Sequence, residues 1–289
     1  MSLVEAAVLG LLQGITEFLP ISSTAHLRIA PELLGWGDPG AAYSAVIQLG
    51  TVAAVVIFFA RDLVKLTRAF VAGLWRRAPF GTQESRLAWF VGLGTLPIGI
   101  LGLLFKKSIE TSLRSLYVVA TSLILLALVL FVVERFATHK RTMAEMTLKD
   151  GLVIGCWQAL ALIPGSSRSG TTITGGLWLG FRREDAARYS FLLSVPATAL
   201  AGLFELKHLI QAPHLDVPAL VVGTVVAFAA GMAAIAGLLR FLRTRSMLVF
   251  VVYRVVLGVG LLGLLMAGKL EPQAGLGERT PAAAEAAPR

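Results

Sequence analysis

The chain is short of charge and of cysteine, and it has no long polar stretch before its last 20 or so residues. Only 15% of its 289 residues are Asp, Glu, Lys or Arg, against 56% hydrophobic, and the mean hydropathy is +0.77. A soluble domain carries about 25% charged residues, so lipid must be the main solvent here. The lone Cys156 excludes an intrachain disulfide, and its apolar surroundings suit inert packing. The first apolar stretch lacks the basic flank of a cleavable signal and carries Glu5, Gln13 and Glu17, so the N-terminus is expected to be retained. A net charge of +9 does not point to nucleic acid, because the Lys and Arg fall in short loops that offer no soluble face for a basic patch.

What the chain does have is charge-free runs long enough to cross a bilayer core, which takes about 20 apolar residues of helix. Ala41–Ala60, Leu87–Phe105, Ser115–Val133 and Val217–Leu239 qualify directly. Tyr189–Phe204, extended by Asp185–Arg188, and Met247–Gly268, interrupted by Arg254, complete an expected six spans. Residues 271–289 are rich in Ala, Pro, Gly and charge, and read as a disordered tail after a single membrane domain spanning 1–270.

That domain reads as a duplication. Gly10-Leu11-Leu12-Gln13 with Pro20-Ile21-Ser22-Ser23 matches Gly155-Cys156-Trp157-Gln158 with Pro164-Gly165-Ser166-Ser167, and Tyr43-Ser44 matches Tyr189-Ser190. The halves are about 1–135 and 148–270. Each opens with an apolar segment, Leu3–Leu34 or Leu148–Leu179, broken at its centre by Pro and a Ser/Thr/Gly cluster. Each leg has roughly 15 residues, about 22 Å of helix and too short to cross, so both segments read as re-entrant helix hairpins. Three spans per half invert the second half, giving an all-α polytopic protein with an inverted-topology repeat of six transmembrane helices plus two hairpins. The hairpins then enter from opposite faces, and the tips Pro20–His26 and Pro164–Thr172 are expected to meet near the midplane.

The tips gather Glu17, Ser22, Ser23, His26, Ser167, Arg168 and Thr172 around one expected site. Ionisable residues at membrane depth are functional by default. Gly165-Ser166-Ser167-Arg168-Ser169-Gly170-Thr171-Thr172 supplies close backbone approach, hydroxyl donors and a bidentate Arg fork, which together suit a phosphate. Ser22 or Ser23 is placed to cap the returning leg. Ser23 and His26 lie three apart at a helix start, and Gln13 and Glu17 share a face of the incoming leg. A nucleophile, a base and a carboxylate in one cavity suit phosphoryl transfer, with Glu17 orienting His26 or holding a divalent ion. Ser22, Ser166, Ser169 and Thr171 also read as groups that satisfy freed backbone. His139, His208 and His214 read as surface loop residues. Arg254 reads as snorkelling or as touching a lipid phosphate, and Trp36, Trp75, Trp89, Trp157 and Trp178 as interfacial anchors.

Gln13-Gly14-Ile15-Thr16-Glu17-Phe18-Leu19-Pro20-Ile21-Ser22-Ser23-Thr24-Ala25-His26 resembles the first signature of the undecaprenyl-diphosphatases, the bacitracin-resistance family, and Pro164 to Thr172 resembles the second. The resemblance implies hydrolysis of undecaprenyl pyrophosphate to the monophosphate, recycling the lipid carrier of cell-wall synthesis, with a divalent cation such as Mg2+ or Ca2+. It carries roles onto Glu17, Ser23, His26, Ser167, Arg168 and Thr172. Ser22, Ser169 and Gly170 are expected to join the phosphate-binding set. Where the family commonly has Glu and Gly, this chain has Gln13 and Ala25. Gln13 can ligate through its carbonyl but takes no proton. Either Ser23 or His26 can attack the phosphorus; Ser23 is favoured as nucleophile, with His26 as base. An acid-phosphatase-type lipid phosphatase fits less well, because no second His and Asp follow Arg168 in its helix. A transporter or flippase of a lipid phosphate is the rival of another class, and it would have no use for Ser23 with His26. The implied partners are a polyprenyl pyrophosphate and membrane lipid, with a homodimer left open.

Sixteen Lys and Arg fall in one set of loops, from Arg61 to Arg86, Arg135 to Lys149, Arg182 to Arg188 and Arg240 to Arg245, against eight in the other. The first set is therefore expected to be cytoplasmic in a bacterial inner membrane. Both termini would then be periplasmic, and the family resemblance implies that the site opens to that side.

Overall fold

The computed structural model describes residues 1–36, 40–110, 112–210 and 216–273; the side chains of 40–42, 110, 112 and 201–210 are outside that description, as is most of the expected tail. The α-helices described are α1 (Leu3–Phe18), α2 (Ser23–Leu33), α3 (Gly40–Phe58), α4 (Ala60–Trp75), α5 (Gln83–Leu104), α6 (Lys106–Glu110), α7 (Leu116–Phe136), α8 (Leu148–Ala159), α9 (Arg168–Trp178), α10 (Arg183–Ile210), α11 (Val217–Leu242) and α12 (Leu248–Met266). Outside helices, the described backbone pairs as an isolated bridge between Arg141 and Phe181.

The two broken segments start alike. The Ser2 hydroxyl accepts from the Glu5 N–H while the Glu5 carboxylate accepts from the Ser2 N–H, a capping box that sets the first turn of α1. Thr147 and Asp150 repeat it at α8, and Arg141 ties the Asp150 carboxylate down at 2.6 Å. Neither α1 nor α8 is long enough to span, and each is followed by an 11-residue helix, after a short break at α1 and after the 3-10 turn Leu160–Leu162 and a further break at α8.

α5, α7, α11 and α12 are long and apolar enough to cross a membrane. The expected span Ala41–Ala60 corresponds to α3, which ends two residues earlier, at Phe58. The chain turns at Phe59, and α4 leaves α3 at 73°, so the two count as one span only as a bent pair. The reason is legible in α4 itself: Arg61, Asp62, Lys65 and Arg68 alternate with apolar residues, which suits an interface better than a hydrocarbon core. The sixth expected span, Tyr189–Phe204, lies within α10, whose side chains past Leu200 fall outside the described residues.

Ion pairs sort the helix ends. Arg188 to Asp62, Arg183 to Glu134 and Arg243 to Glu184 bring together the α3–α4 junction, the end of α7, the start of α10 and the end of α11. Another set unites the start of α1 with that of α11 through the N-terminal amine and Asp216, and the start of α7 with the segment after α12 through Leu116 N–H and Pro272 O.

Small residues permit the tight helix crossings that membrane interiors favour. A Cβ on Gly10 of α1 would lie 2.3 Å from the Gly223 carbonyl oxygen of α11, and one on Gly155 of α8 would lie 2.3 Å from the Gly94 carbonyl oxygen of α5. Beside these crossings, the Tyr43 hydroxyl donates to Ala6 O and the Tyr189 hydroxyl to Phe90 O, both at 3.0 Å. Cys156, expected to pack inertly, is exposed on α8. Trp75 and Trp178 are exposed as interfacial anchors would be, but Trp89 is packed against Phe70 and Phe80. His208 sits within α10 rather than in a loop, and His214 lies outside the described residues. His139 is part-buried, its ring 3.1 Å from Glu134 O.

Candidate active site

The returning helices α2 and α9 are each entered through a serine held at positive φ, Ser22 at 74° and Ser167 at 66°. A non-glycine residue there costs on the order of 1–3 kcal/mol and persists only where its surroundings enforce it. The strained turns throw the next side chains, Ser23 and Arg168, out at the first position of each helix.

These two residues converge on one carboxylate. Arg168 Nη2 donates to Glu17 Oε1, Ser23 Oγ donates to Glu17 Oε2 at 2.8 Å, and Gln13 Nε2 donates to the same oxygen at 3.2 Å. The other guanidinium branch of Arg168 reaches Ser194 O of α10 at 3.3 Å. The side chains of Arg168 and Glu17 are only 15% and 8% exposed, so the pair is screened from water but still reachable. Two further bonds join the tips: Ser169 Oγ donates to Leu19 O at 3.0 Å, and Gly165 N–H to Thr24 Oγ1 at 3.5 Å. Phe18, next to Glu17 in the chain, meets Phe191 edge-on, and Phe191 lies tilted against Phe59.

The other sequence-predicted residues take local partners. Ser167 Oγ accepts from the Gly170 N–H and so caps α9. Ser22 sits at the corresponding cap of α2, but its hydroxyl pairs with Thr24 Oγ1 instead, and Ser23, the alternative cap, turns to Glu17. Thr172 Oγ1 meets Ser190 Oγ at 2.5 Å and donates to Arg168 O at 2.8 Å, fixing the start of α9 against α10. His26 makes no hydrogen bond to Ser23 among the described residues. Its Nδ1 lies 2.7 Å from Ser22 O, and its Nε2 lies 2.6 Å from the Tyr253 hydroxyl.

Arg254 corrects the sequence reading. It neither snorkels nor reaches lipid: it is wholly buried, and Nη2 donates to Ser122 O, Gly165 O and Ser166 O. Its guanidinium fills the space beside Gly170, where a Cβ would come within 2.8 Å of Nη1, so that glycine is needed for packing against Arg254. Gly165 has φ of 90°, and a Cβ on it would stand 2.3 Å from Ser122 Oγ. The charge of Arg254 in an apolar run was visible in the sequence but not its partners, and nothing in the sequence marked Tyr253, because the partners of both lie far away in the chain.

Ser166 is buried, and its hydroxyl has no hydrogen-bond partner among the described residues. Ser166→Ala removes an unsatisfied group, so phosphate release is expected to stay near that of the parent, and the melting temperature in detergent to hold or rise. A large loss of turnover would give that hydroxyl a role in the site.

Among the described residues, no three His, Cys, Asp or Glu cluster as a metal cage. The donor set is one carboxylate, Glu17, with the Gln13 amide beside it. That set fits a hard cation such as Mg2+, which keeps most of its water and is held by one or two carboxylates plus substrate phosphates.

Residues 6–260 match a family model described as bacitracin resistance protein BacA. The chain is 72% identical over 277 residues, 96% of its length and 93% of the relative's, to an undecaprenyl-diphosphatase of Myxococcus xanthus. It is 53% identical over 281 residues, 94% of its length and 99% of the relative's, to one of Chloroherpeton thalassium. It is 52% identical over 281 residues, 94% and 100% of the two chains, to one of Chlorobium phaeobacteroides.

Proposed function

The chain belongs to the bacitracin resistance protein BacA family, and from that membership we infer that it is a multi-pass membrane undecaprenyl-diphosphatase. It hydrolyses undecaprenyl pyrophosphate to undecaprenyl phosphate and inorganic phosphate, returning the lipid carrier to cell-wall synthesis and so conferring bacitracin resistance. The observation that carries the chemical reading is the single Glu17 carboxylate accepting from Ser23 on one hairpin and Arg168 on the other.

In this reading the terminal phosphate draws Arg168 away from Glu17, and the positive end of the α9 dipole adds to the attraction for its oxygens. Glu17, no longer neutralised, takes the Ser23 proton as Ser23 Oγ attacks the terminal phosphorus. The bond to the bridging oxygen breaks, and the lipid monophosphate leaves. Water then cleaves the phosphoserine, releasing inorganic phosphate and returning the proton to Ser23. His26 was expected as the base for Ser23; the Ser23–Glu17 hydrogen bond favours Glu17 in that role. Ser167, Ser169, Gly170 and Thr172 support the site by holding the turn that presents Arg168. A divalent cation, Mg2+ or Ca2+, would be held by Glu17 and the Gln13 carbonyl and would supply charge neutralisation to the pyrophosphate. A lipid-phosphate carrier would need Arg168 but not a serine hydrogen-bonded to a buried carboxylate, which favours the enzyme.

The architecture we propose is the inverted repeat of two hairpins and six spans in one domain. It is supported by the paired capping boxes, the paired strained serines, and the cross-packing of α1 on α11 and α8 on α5. The placement of Lys- and Arg-rich loops supports an inner-membrane orientation with periplasmic termini. In a Cys156→Ala background, a membrane-impermeant thiol reagent on intact cells is expected to label Lys269→Cys and to spare Gln83→Cys; the reverse pattern overturns the orientation.

The direct test is phosphate release from undecaprenyl pyrophosphate by purified protein in detergent, with and without chelator. Release that falls on chelation supports the whole reading. No release in metal-replete detergent, with lipid translocation in vesicles, favours the carrier.

A further inference from the structure

His26 and Tyr253 form a unit that the chemistry above does not use. Nδ1 of His26 faces a backbone carbonyl, Ser22 O at 2.7 Å, and a carbonyl only accepts, so Nδ1 carries a proton. In the neutral ring Nε2 is then a lone pair, and the Tyr253 hydroxyl 2.6 Å away donates to it. The two rings lie 9° from parallel with centroids 5.6 Å apart. His26 is buried at 9% exposure while Tyr253 is 43% exposed, so the accessible end of the chain from Ser22 O through His26 is the tyrosine. The next residue on α12, Arg254, grips the other hairpin through Gly165 O and Ser166 O.

We propose that Tyr253 is a positioning residue of this phosphatase, whose hydroxyl fixes the ring of His26 and, through it, the strained turn that presents Ser23. The chain of cause is short. The tyrosine hydroxyl holds Nε2, Nδ1–H then holds Ser22 O, and Ser22 is the residue at φ 74° whose conformation aims Ser23 at Glu17. A partner of this kind fixes tautomer and ring orientation without touching substrate. The proposal rests on Ser23 and Glu17 working as described under Proposed function.

Tyr253→Phe removes the hydroxyl and keeps the stacked ring. It is expected to lower kcat for phosphate release by about tenfold to a hundredfold, the size of effect found for the partners that orient metal-ligating histidines, with KM little changed. In a His26→Gln background the same substitution is expected to add no further loss, since its route runs through the imidazole. Independently of turnover, 15N NMR of histidine-labelled protein, with the His26 signals assigned by their loss in His26→Gln, is expected to show Nδ1 still protonated in Tyr253→Phe. The Nε2 signal should move toward that of an unbonded nitrogen. Full kcat in Tyr253→Phe, a fully additive loss in the double variant, or an unmoved Nε2 signal would each overturn the proposal. If the parent protein itself releases no phosphate, the phosphatase reading has failed, while the NMR comparison still decides whether Tyr253 holds His26.

Discussion

Arg168→Lys is expected to lower phosphate release by about a thousandfold or more, although the charge is kept, because an arginine on a transferring phosphoryl group contributes on the order of 10³ to 10⁵ in rate. The guanidinium here works as a planar fork. One branch donates to Glu17 Oε1 and the other to Ser194 O, so a single group on α9 bridges α1 and α10. An ammonium is a point charge on a flexible stem and satisfies one of these acceptors at a time, and it grips a phosphate without the paired geometry. Initial rates in detergent, with melting temperature measured alongside, check the claim. Near-parent turnover would reduce Arg168 to a steering charge.

Glu17→Gln is expected to remove most activity and to destabilise the protein as well. The carboxylate neutralises a guanidinium that is only 15% exposed, and breaking such a pair by removing one partner costs about 3–5 kcal/mol because the other charge stays buried. It also deprives Ser23 of its acceptor. Gln13→Glu is expected to behave oppositely. It places a second carboxylate next to the one that Gln13 now reaches at 3.2 Å, so the like charges call for a cation between them. Activity should persist with tighter dependence on Mg2+ or Ca2+. Phosphate release titrated with the metal after chelation separates the two variants, and equal tolerance at both positions would contradict a single obligatory carboxylate on this leg.

The convergence of Glu17, Ser23 and Arg168 was legible because duplication and hydropathy are linear signals. The offset of Gly10 and Gly155, with a proline and serines after each, is printed in the sequence. It ran further than the motifs: Ser2-x-x-Glu5 and Thr147-x-x-Asp150 carry the same capping chemistry and could have been read. The bend after Phe58 was also written there, in the charges of α4. What was not legible is where side chains turn once their Cα positions are set. Ser23 and His26 share a helix face by spacing, yet their rotamers send one to Glu17 and the other to Tyr253. Arg254 looked like an interface residue because a charge in an apolar run has few local meanings, and its acceptors are carbonyls contributed by α7 and the second tip. Gly170 was read as making room for a phosphate, whereas the room is taken by that same arginine.

The position of Tyr253 and Arg254 on α12 sets the order in which the enzyme can mature. Chains leave the ribosome N-terminus first, so the residues that aim Ser23 and Arg168 are made and inserted long before the helix that clasps both turns. Until α12 arrives, the carbonyls of Gly165 and Ser166 lack their guanidinium and His26 lacks its tyrosine. A nascent or truncated chain that ends before α12 therefore holds every chemical group of the site without their alignment. Among the described helices α12 is the last to be synthesised, and it is the one that brings the partners of both turns.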